Sequence, residues 1–241
     1  MKTVIVQNYD EMSCLLAEMV ADVISGTQNP VLGLATGSTP IGAYKLLAEF
    51  FAQKKLSFKN VSTVNLDEYV GLAQSDYQSY ANFMRRNLFD LVDVERKNTH
   101  IPNGMAQDLE QECLRYRDLL EKNVQDLQIL GLGSNGHIGF NEPYTDFSEK
   151  THLVDLSQNT IADNARFFDD VSQVPTQAIT MGIAEIMRAK KIVVVANGAN
   201  KAQAVFDMVC GEISERCPAS ILQTHPDCTV IVDKLAARLI M

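Results

Sequence analysis

Residues 127–143, LQILGLGSNGHIGFNEP, run from an apolar stretch (Leu127 to Leu132) into a turn punctuated by Gly133, Gly136 and Gly139. That order is a buried strand emptying into a turn where backbone can approach a ligand closely. Asn135, His137 and Glu142 fall inside the turn. A carboxylate that accepts an imidazole N–H fixes the tautomer and raises the ring's basicity, so His137 and Glu142 are candidates for a base and its orienter. A glycine-rich bend with solvated His and Glu would show the same residues, and context has to decide.

The same design recurs on either side. Val31–Ala35 is a short buried strand followed by Thr36-Gly-Ser-Thr-Pro40 and an apolar-periodic helix through Ile41, Tyr44, Leu47 and Phe50. Strand, small-residue turn and helix N-terminus aim several backbone N–H groups at one place, which suits an anion and phosphate above all. The turn at Thr36 to Pro40 matches neither the Walker pattern nor GxGxxG, which disfavours a nucleotide there. Lys191 to Ala196 is another buried strand, and Asn197-Gly-Ala-Asn-Lys201 opens a helix over Ala199 to Val209. A lysine in a first helical turn opposes the dipole unless it has an anion to meet.

Between these lies a strand at Val61 to Leu66 that delivers Asp67-Glu68-Tyr69 to its C-terminal end, where open α/β sheets bind ligands. Adjacent side chains of an extended segment point to opposite sides, so one carboxylate faces the pocket and the other binds structure. The other expected elements are a strand at Thr3 to Val6 and a helix capped by Asp10 and ended by Gly26, then helices over Tyr80 to Val92 and Gln107 to Asn123. Arg85-Arg86 reads as a surface pair, with a cleft-facing pair as the other possibility. Later come a strand or lid segment at Thr151 to Leu156 and a flap over Asn159 to Phe168 carrying Arg166, so that 151–176 reads as a lid. A strand at Ala178 to Met181, a short helix over Gly182 to Ala189, a last strand at Cys228 to Val232 and a tail helix over Lys234 to Ile240 complete the chain. Strands alternating with helices, without repeat or linker, predict one α/β domain over 1–241, a mostly parallel sheet covered by helices on both faces.

Composition excludes several classes of function. A formal charge of −9 argues against a nucleic-acid or anionic-membrane surface, so any phosphate must be held locally. Five scattered cysteines without a CxxC pair fit reduced thiols in a cytosol, and no Cys/His cluster suggests a metal. His100, His152 and His225 read as ordinary surface or core residues. The start MKTVIVQNYD reads as a strand rather than a signal peptide, and no run of about 18 apolar residues could span a bilayer. A cytoplasmic protein is expected.

Three stretches, GLATGSTP (33–40), NLDEYVGL (65–72) and GLGSNGHIGFNEP (131–143), closely resemble the glucosamine-6-phosphate deaminase family, a likeness running from the first strand to about residue 232. The resemblance implies a Rossmann-like α/β sandwich and conversion of glucosamine 6-phosphate and water into fructose 6-phosphate and ammonia without a cofactor. It makes Asp67 the base that moves the C2 proton, and His137, partnered by Glu142, the group that opens the pyranose ring. Thr36, Gly37, Ser38 and Thr39 become the phosphate loop, with Arg166 and Lys201 as cationic phosphate ligands. Asn135 departs from the pattern, standing where many members carry an aspartate; asparagine can orient the imidazole by a hydrogen bond but cannot stabilise an imidazolium by charge.

Two other functions share the scaffold. A 6-phosphogluconolactonase would have a similar phosphate loop, and LDEY (66–69) and FNEP (140–143) are what set the deaminase reading above it. A sugar-phosphate sensor would keep Arg166 and Lys201 but lose the base. Some larger deaminases of this family are hexamers activated by N-acetylglucosamine 6-phosphate through basic residues after the NEP motif. In residues 144–156 of this chain, Asp146, Glu149 and Asp155 outnumber Lys150, and the chain stops at Met241, so a monomer or small homo-oligomer without that activation is expected.

Overall fold

The computed structural model describes residues 1–165, 168, 170 and 173–241. In chain order, β1 (Lys2–Val6) leads to α1 (Tyr9–Gly26), β2 (Val31–Leu34) to α2 (Ile41–Ala52), and β3 (Ser62–Asn65) directly to β4 (Asp67–Tyr69). Then come α3 (Tyr80–Asn87), β5 (Thr99–His100), α4 (Leu109–Lys122), β6 (Leu127–Gly131), β7 (His152–Asp155), α5 (Gln158–Ala165) and β8 (Gln177–Thr180). The chain closes with α6 (Ile183–Ile186), β9 (Ile192–Ala196), α7 (Ala202–Cys210) and β10 (Cys228–Asp233).

Seven strands form one parallel sheet in the order β1-β10-β9-β6-β2-β3-β5. Every residue of β9 and β10 is buried, and so are the first four of β6, which alternating strands with a wet face could not show. The sheet is therefore helix-covered on both sides, as the near-continuous apolar runs require. Because the strands are parallel, the turns after β2, β6 and β9 all leave from one edge. Strand order reverses between β2, which leads on to β3, and β6, which leads on to β9. That reversal opens a crevice outside the carboxyl ends of the strands, where ligands of such sheets bind.

A second sheet, β4-β8-β7, is antiparallel and small. It corrects the expected strand at Val61 to Leu66: the parallel strand stops at Asn65, and Asp67–Tyr69 pairs with Thr180, Ile179 and Ala178 instead of ending in a loop. Tyr69, Phe140, Leu156 and Ala178 form a satellite apolar cluster there, separate from the main core.

Other boundaries shift for local reasons. Asn8, not Asp10, caps α1, its side chain accepting from the Glu11 N–H at 2.9 Å. The helix begun at Tyr80 breaks at Leu88 (φ −147°), leaving Phe89–Leu91 as a 3-10 turn. Lys201 ends a 3-10 turn and sits at the N-cap of α7, not inside the α-helix. Residues 234–240 are turns, not a helix, and α5 covers residues 159–165 of the stretch read as a flap. Arg166 lies outside the described residues. Capping substitutions offer a check on the corrected start of α1: Asn8→Ala should destabilise the fold by about 1 kcal/mol in denaturant unfolding, whereas Asp10→Ala should change it by only a few tenths.

Candidate active site

A cavity of about 750 Å³ occupies the crevice. Thr36, Gly37, Ser38 and Thr39 line it after β2, Asp67 and Tyr69 line it from β4, Gly133 and His137 follow β6, and Lys201 follows β9. Four stretches up to about 160 residues apart in sequence thus meet, three of them because parallel strands release their turns on one side.

The first turn is built to present backbone. Gly37 has φ +86°, open to glycine without strain, and Tyr9 of α1 staples the loop from behind. The Tyr9 hydroxyl donates to the Ser38 carbonyl (3.1 Å) and accepts from the Gly42 N–H (2.8 Å), leaving the cavity side of the turn to a ligand. Across the cavity, the carboxylate of Asp233 accepts from the Gly198 N–H (3.0 and 3.1 Å), which fixes the turn that carries Lys201.

Asp67 and Glu68 divide as the alternation requires. Glu68 points away and accepts from the backbone N–H groups of Tyr69, Tyr80 and Ala81, each at 2.9 Å, tying β4 to the start of α3. Burial still pushes its carboxyl up to about 7 against those three donors. Asp67 faces the cavity floor, 7% exposed, with no hydrogen-bond donor among the described residues. Burial, then the neighbouring Glu68 charge, pushes it up to about 8. An ordinary carboxylate has become a group that can hold a proton near neutrality.

The glycine-rich turn lays its backbone over that carboxylate: a Cβ on Gly139 would sit 3.7 Å from Asp67 Oδ2. The Phe140 N–H donates to Thr180 Oγ1 (3.0 Å), and the buried Asn141 amide donates to the carbonyls of Ile138 (2.8 Å) and Met181 (2.9 Å). Here the His137 ring packs on Gly133, where an added Cβ would lie 2.4 Å from Nδ1. His137 Nδ1 stands 3.7 Å from Glu142 Oε2, ion-pair range but longer than a hydrogen bond, and has no nearer partner. Such contacts are often long before substrate binds.

Asn135 does not orient the imidazole, contrary to expectation. Its Nδ2 donates to Glu142 Oε2 (2.7 Å) and its Oδ1 accepts from the His137 backbone N–H (3.2 Å). Glu142 Oε1 accepts from Ser157 Oγ (3.1 Å) and from Thr160 Oγ1, both at the start of α5. Burial alone would raise the Glu142 carboxyl, but His137, Thr160 and Asn135 outweigh it and hold the group down at about 2.

Ser157 and Thr160 are residues that sequence reading missed; hydroxyls in a polar helix start look like ordinary capping. The aromatic wall was missed as well: Tyr69 and Tyr80 have ring centroids 4.6 Å apart, with Phe140 and Phe168 against Tyr69 at 5.8 and 6.1 Å. Of the Arg85-Arg86 pair, Arg86 lines the cavity, stacked 3.8 Å over Tyr77, while Arg85 meets Asp90 at 3.5 Å. His225 is structural, its Nε2 2.8 Å from the Ala189 carbonyl. No group of three or more metal-ligating side chains occurs among the described residues.

The sequence profile described as glucosamine-6-phosphate isomerases/6-phosphogluconolactonase matches residues 7–231. The chain belongs to that family. A relative from Thermoanaerobacter pseudethanolicus, named glucosamine-6-phosphate deaminase, is 51% identical over 241 residues, all of this chain and 95% of the relative. A relative of the same name from Alkaliphilus metalliredigens is 48% identical over the whole of both chains. Among solved structures of the family, one described as a monomeric glucosamine-6-phosphate deaminase superposes with TM-score 0.98 at 46% identity, covering 99% of this chain and all of its own. A 6-phosphogluconolactonase from Trypanosoma brucei gives TM-score 0.79 at 18% identity, covering all of this chain and 98% of its own, and shares the fold.

The raised Asp67 carboxyl has a stability consequence whose sign is fixed. Because the folded pKa lies above the unfolded one, the folded state holds the proton longer, and stability falls as pH rises from about 4 to about 8. Asp67→Asn should therefore melt higher than wild type at pH 9, with the gap closing below pH 4; equal melting temperatures at both ends would show that Asp67 carries no such burden. In a second check, Gly133→Ala should fold yet lose most activity, since the new methyl displaces the His137 ring. Retained activity would show that the ring can move freely.

Proposed function

We propose that the protein is a glucosamine-6-phosphate deaminase: it isomerises the amino sugar phosphate and releases ammonia, giving fructose 6-phosphate. The observation that carries this reading is one cavity that holds a buried carboxylate of raised proton affinity, an imidazole paired with a strongly ionised carboxylate, and two backbone turns suited to a phosphate.

Each group has one task in the proposal. The turn at Thr36 to Thr39, with Lys201 and Arg166, binds the phosphate and sets the sugar's register along the cavity; charge-assisted bonds to phosphate are the strong ones. His137 takes the O1 proton and returns one to O5, which opens the pyranose; Glu142 supports the positive ring. Asp67, ionised, takes the C2 proton and delivers it to C1 through a planar enolamine. This leaves an iminium at C2; water adds there, ammonia departs, and the keto sugar remains. Asp67 suits the transfer because no hydrogen bond from the described residues ties down its lone pairs, and a carboxylate with high proton affinity is the stronger base. The ammonium of the substrate lowers that affinity on binding, so the base is ionised when it is needed.

The lactonase alternative would use no carboxylate beside C2. Its likeness to this chain is one of fold, whereas the relatives at about half identity are named deaminases. The protein works on a small sugar phosphate, in the cytoplasm, as a monomer or small oligomer. No helix is long and apolar enough to cross a membrane among the described residues, and the similar solved deaminase is described as monomeric.

Purified protein should release ammonia from glucosamine 6-phosphate without added metal or nucleotide, and unphosphorylated glucosamine should be a poor substrate. Lactone hydrolysis without ammonia would instead establish the alternative. Asp67→Asn should lower turnover by roughly 10²–10⁴-fold, the range for a lost general base, while substrate still binds. For the His137→Gln variant, the loss should be greater on the pyranose than on an analogue that cannot close the ring; equal losses would break the division of labour.

Regulation by a second sugar phosphate is disfavoured by what the 144–156 stretch already does with its charges. Lys150 meets Glu121 at 3.5 Å, and Arg117 of α4 donates to the Thr151 carbonyl (2.7 Å) and lies 3.9 Å from Glu149. Rate curves should be hyperbolic and insensitive to N-acetylglucosamine 6-phosphate. Sigmoidal curves that the N-acetyl sugar phosphate makes hyperbolic would show a second site after all.

A further inference from the structure

Glu142 is held from two sides that belong to different parts of the chain. From the glycine-rich turn comes Asn135, on Oε2, and from α5 come Ser157 and Thr160, both on Oε1. Ser157 Oγ also accepts the Thr160 N–H (3.2 Å), so the pair forms the first turn of the helix and the clamp on the carboxylate at once. A hydroxyl has one proton to give. Ser157 Oγ lies 3.0 Å from Thr160 Oγ1 and 3.1 Å from Glu142 Oε1, so its single proton serves the carboxylate directly or through the Thr160 hydroxyl, whose own proton goes to Glu142. Thr160 is 3% exposed, lines the cavity, and lies next to Ile161, which packs on the Tyr69–Phe140 cluster. Among the described residues these two hydroxyls make the hydrogen bonds to Oε1.

We propose that Thr160 and Ser157 are positioning residues for ring opening: by anchoring Oε1 they turn Oε2 toward His137, so that the seat of α5 on the aromatic wall sets how well the imidazole handles its proton. The inference rests on the deaminase reading and goes beyond it by naming a pair outside the glycine-rich motif. A carboxylate held only by Asn135 is free to rotate about its last bond, and the His137 contact, already 3.7 Å, is the one that lengthens. The clamp thus acts on one chemical step. The C2-to-C1 transfer at Asp67 does not pass through Glu142.

The test separates that step from the rest. Wild-type ammonia release from glucosamine 6-phosphate is measured first; no release would overturn the reading and the inference together. Given release, Thr160→Val should lower kcat on glucosamine 6-phosphate by about tenfold or more, the scale for a lost hydrogen bond to a charged group. KM should change little, and turnover of 5-deoxyglucosamine 6-phosphate, which cannot close a pyranose, should stay near wild type. Ser157→Ala should show the same split more weakly, and Thr160→Ser, which keeps the hydroxyl, should restore kcat. Wild-type kcat in both Thr160→Val and Ser157→Ala, or equal losses on the closed and open substrates, would overturn the inference while leaving the deaminase reading in place.

Discussion

A carboxylate buried without a partner is the constraint around which this molecule is arranged. Taking a charge out of water is unfavourable by several kcal/mol, and proteins usually answer it with a cation or with backbone donors. Glu68 receives that answer in three N–H groups, and Asp67, one residue earlier, receives none among the described residues. The break between β3 and β4 produces the difference. Once the chain leaves the parallel sheet at Leu66, strand alternation sends the two side chains to opposite sides, and only one side has α3 to donate. The antiparallel pairing of Asp67 with Thr180 then stops the segment from rotating to relieve the charge.

The second carboxylate is treated in the opposite way. Glu142 is also largely withdrawn from water, yet donors from Asn135, Ser157 and Thr160 and the adjacent imidazole hold it ionised. Two carboxyls in one site, one driven toward the neutral form and one fixed as the anion, separate the task of moving a carbon-bound proton from that of steadying a cationic ring. The separation depends on where donors are, not on residue type. Exchanging their surroundings would exchange their roles.

Much of the fold was legible because parallel strands buried on both faces leave long apolar runs, and β6, β9 and β10 are such runs. The small sheet was not, since a three-residue strand beginning on two acidic residues has no apolar pattern to read. Of the site, the residues at strand ends and in glycine turns stood out: Asp67, His137 and Thr36 to Thr39 are brought to one cavity, with Glu142 beside the His137 ring. Contributions from helix sides were hidden. Arg86 ends a helix beside another arginine, and only the direction of the last turn tells which faces the cavity. Ser157 and Thr160 look like an ordinary helix start because Ser157 does accept the Thr160 N–H, while the Thr160 hydroxyl reaches a residue 18 positions away. Asn135 was assigned the wrong partner because spacing along a turn does not say which neighbour an amide will reach first.

An acidic chain that binds an acidic ligand needs its positive potential confined to one place. The net charge is −9, so the long-range field repels a sugar phosphate, and screening within about 10 Å at moderate salt leaves the matter to local groups. Those groups are mostly backbone: the N–H groups of the Thr36–Thr39 turn, carried at the start of α2 and held from behind by Tyr9 rather than by a charged residue. On the opposite side the chain places Asp233 under Gly198, so that a carboxylate steadies the turn bearing Lys201 by accepting a backbone N–H. Partial charges fixed in geometry attract at short range without altering net charge. In the proposed reading the phosphate fixes the ligand at the Thr36–Thr39 turn, so that Asp67, the proposed base, meets a carbon acid whose position is already decided.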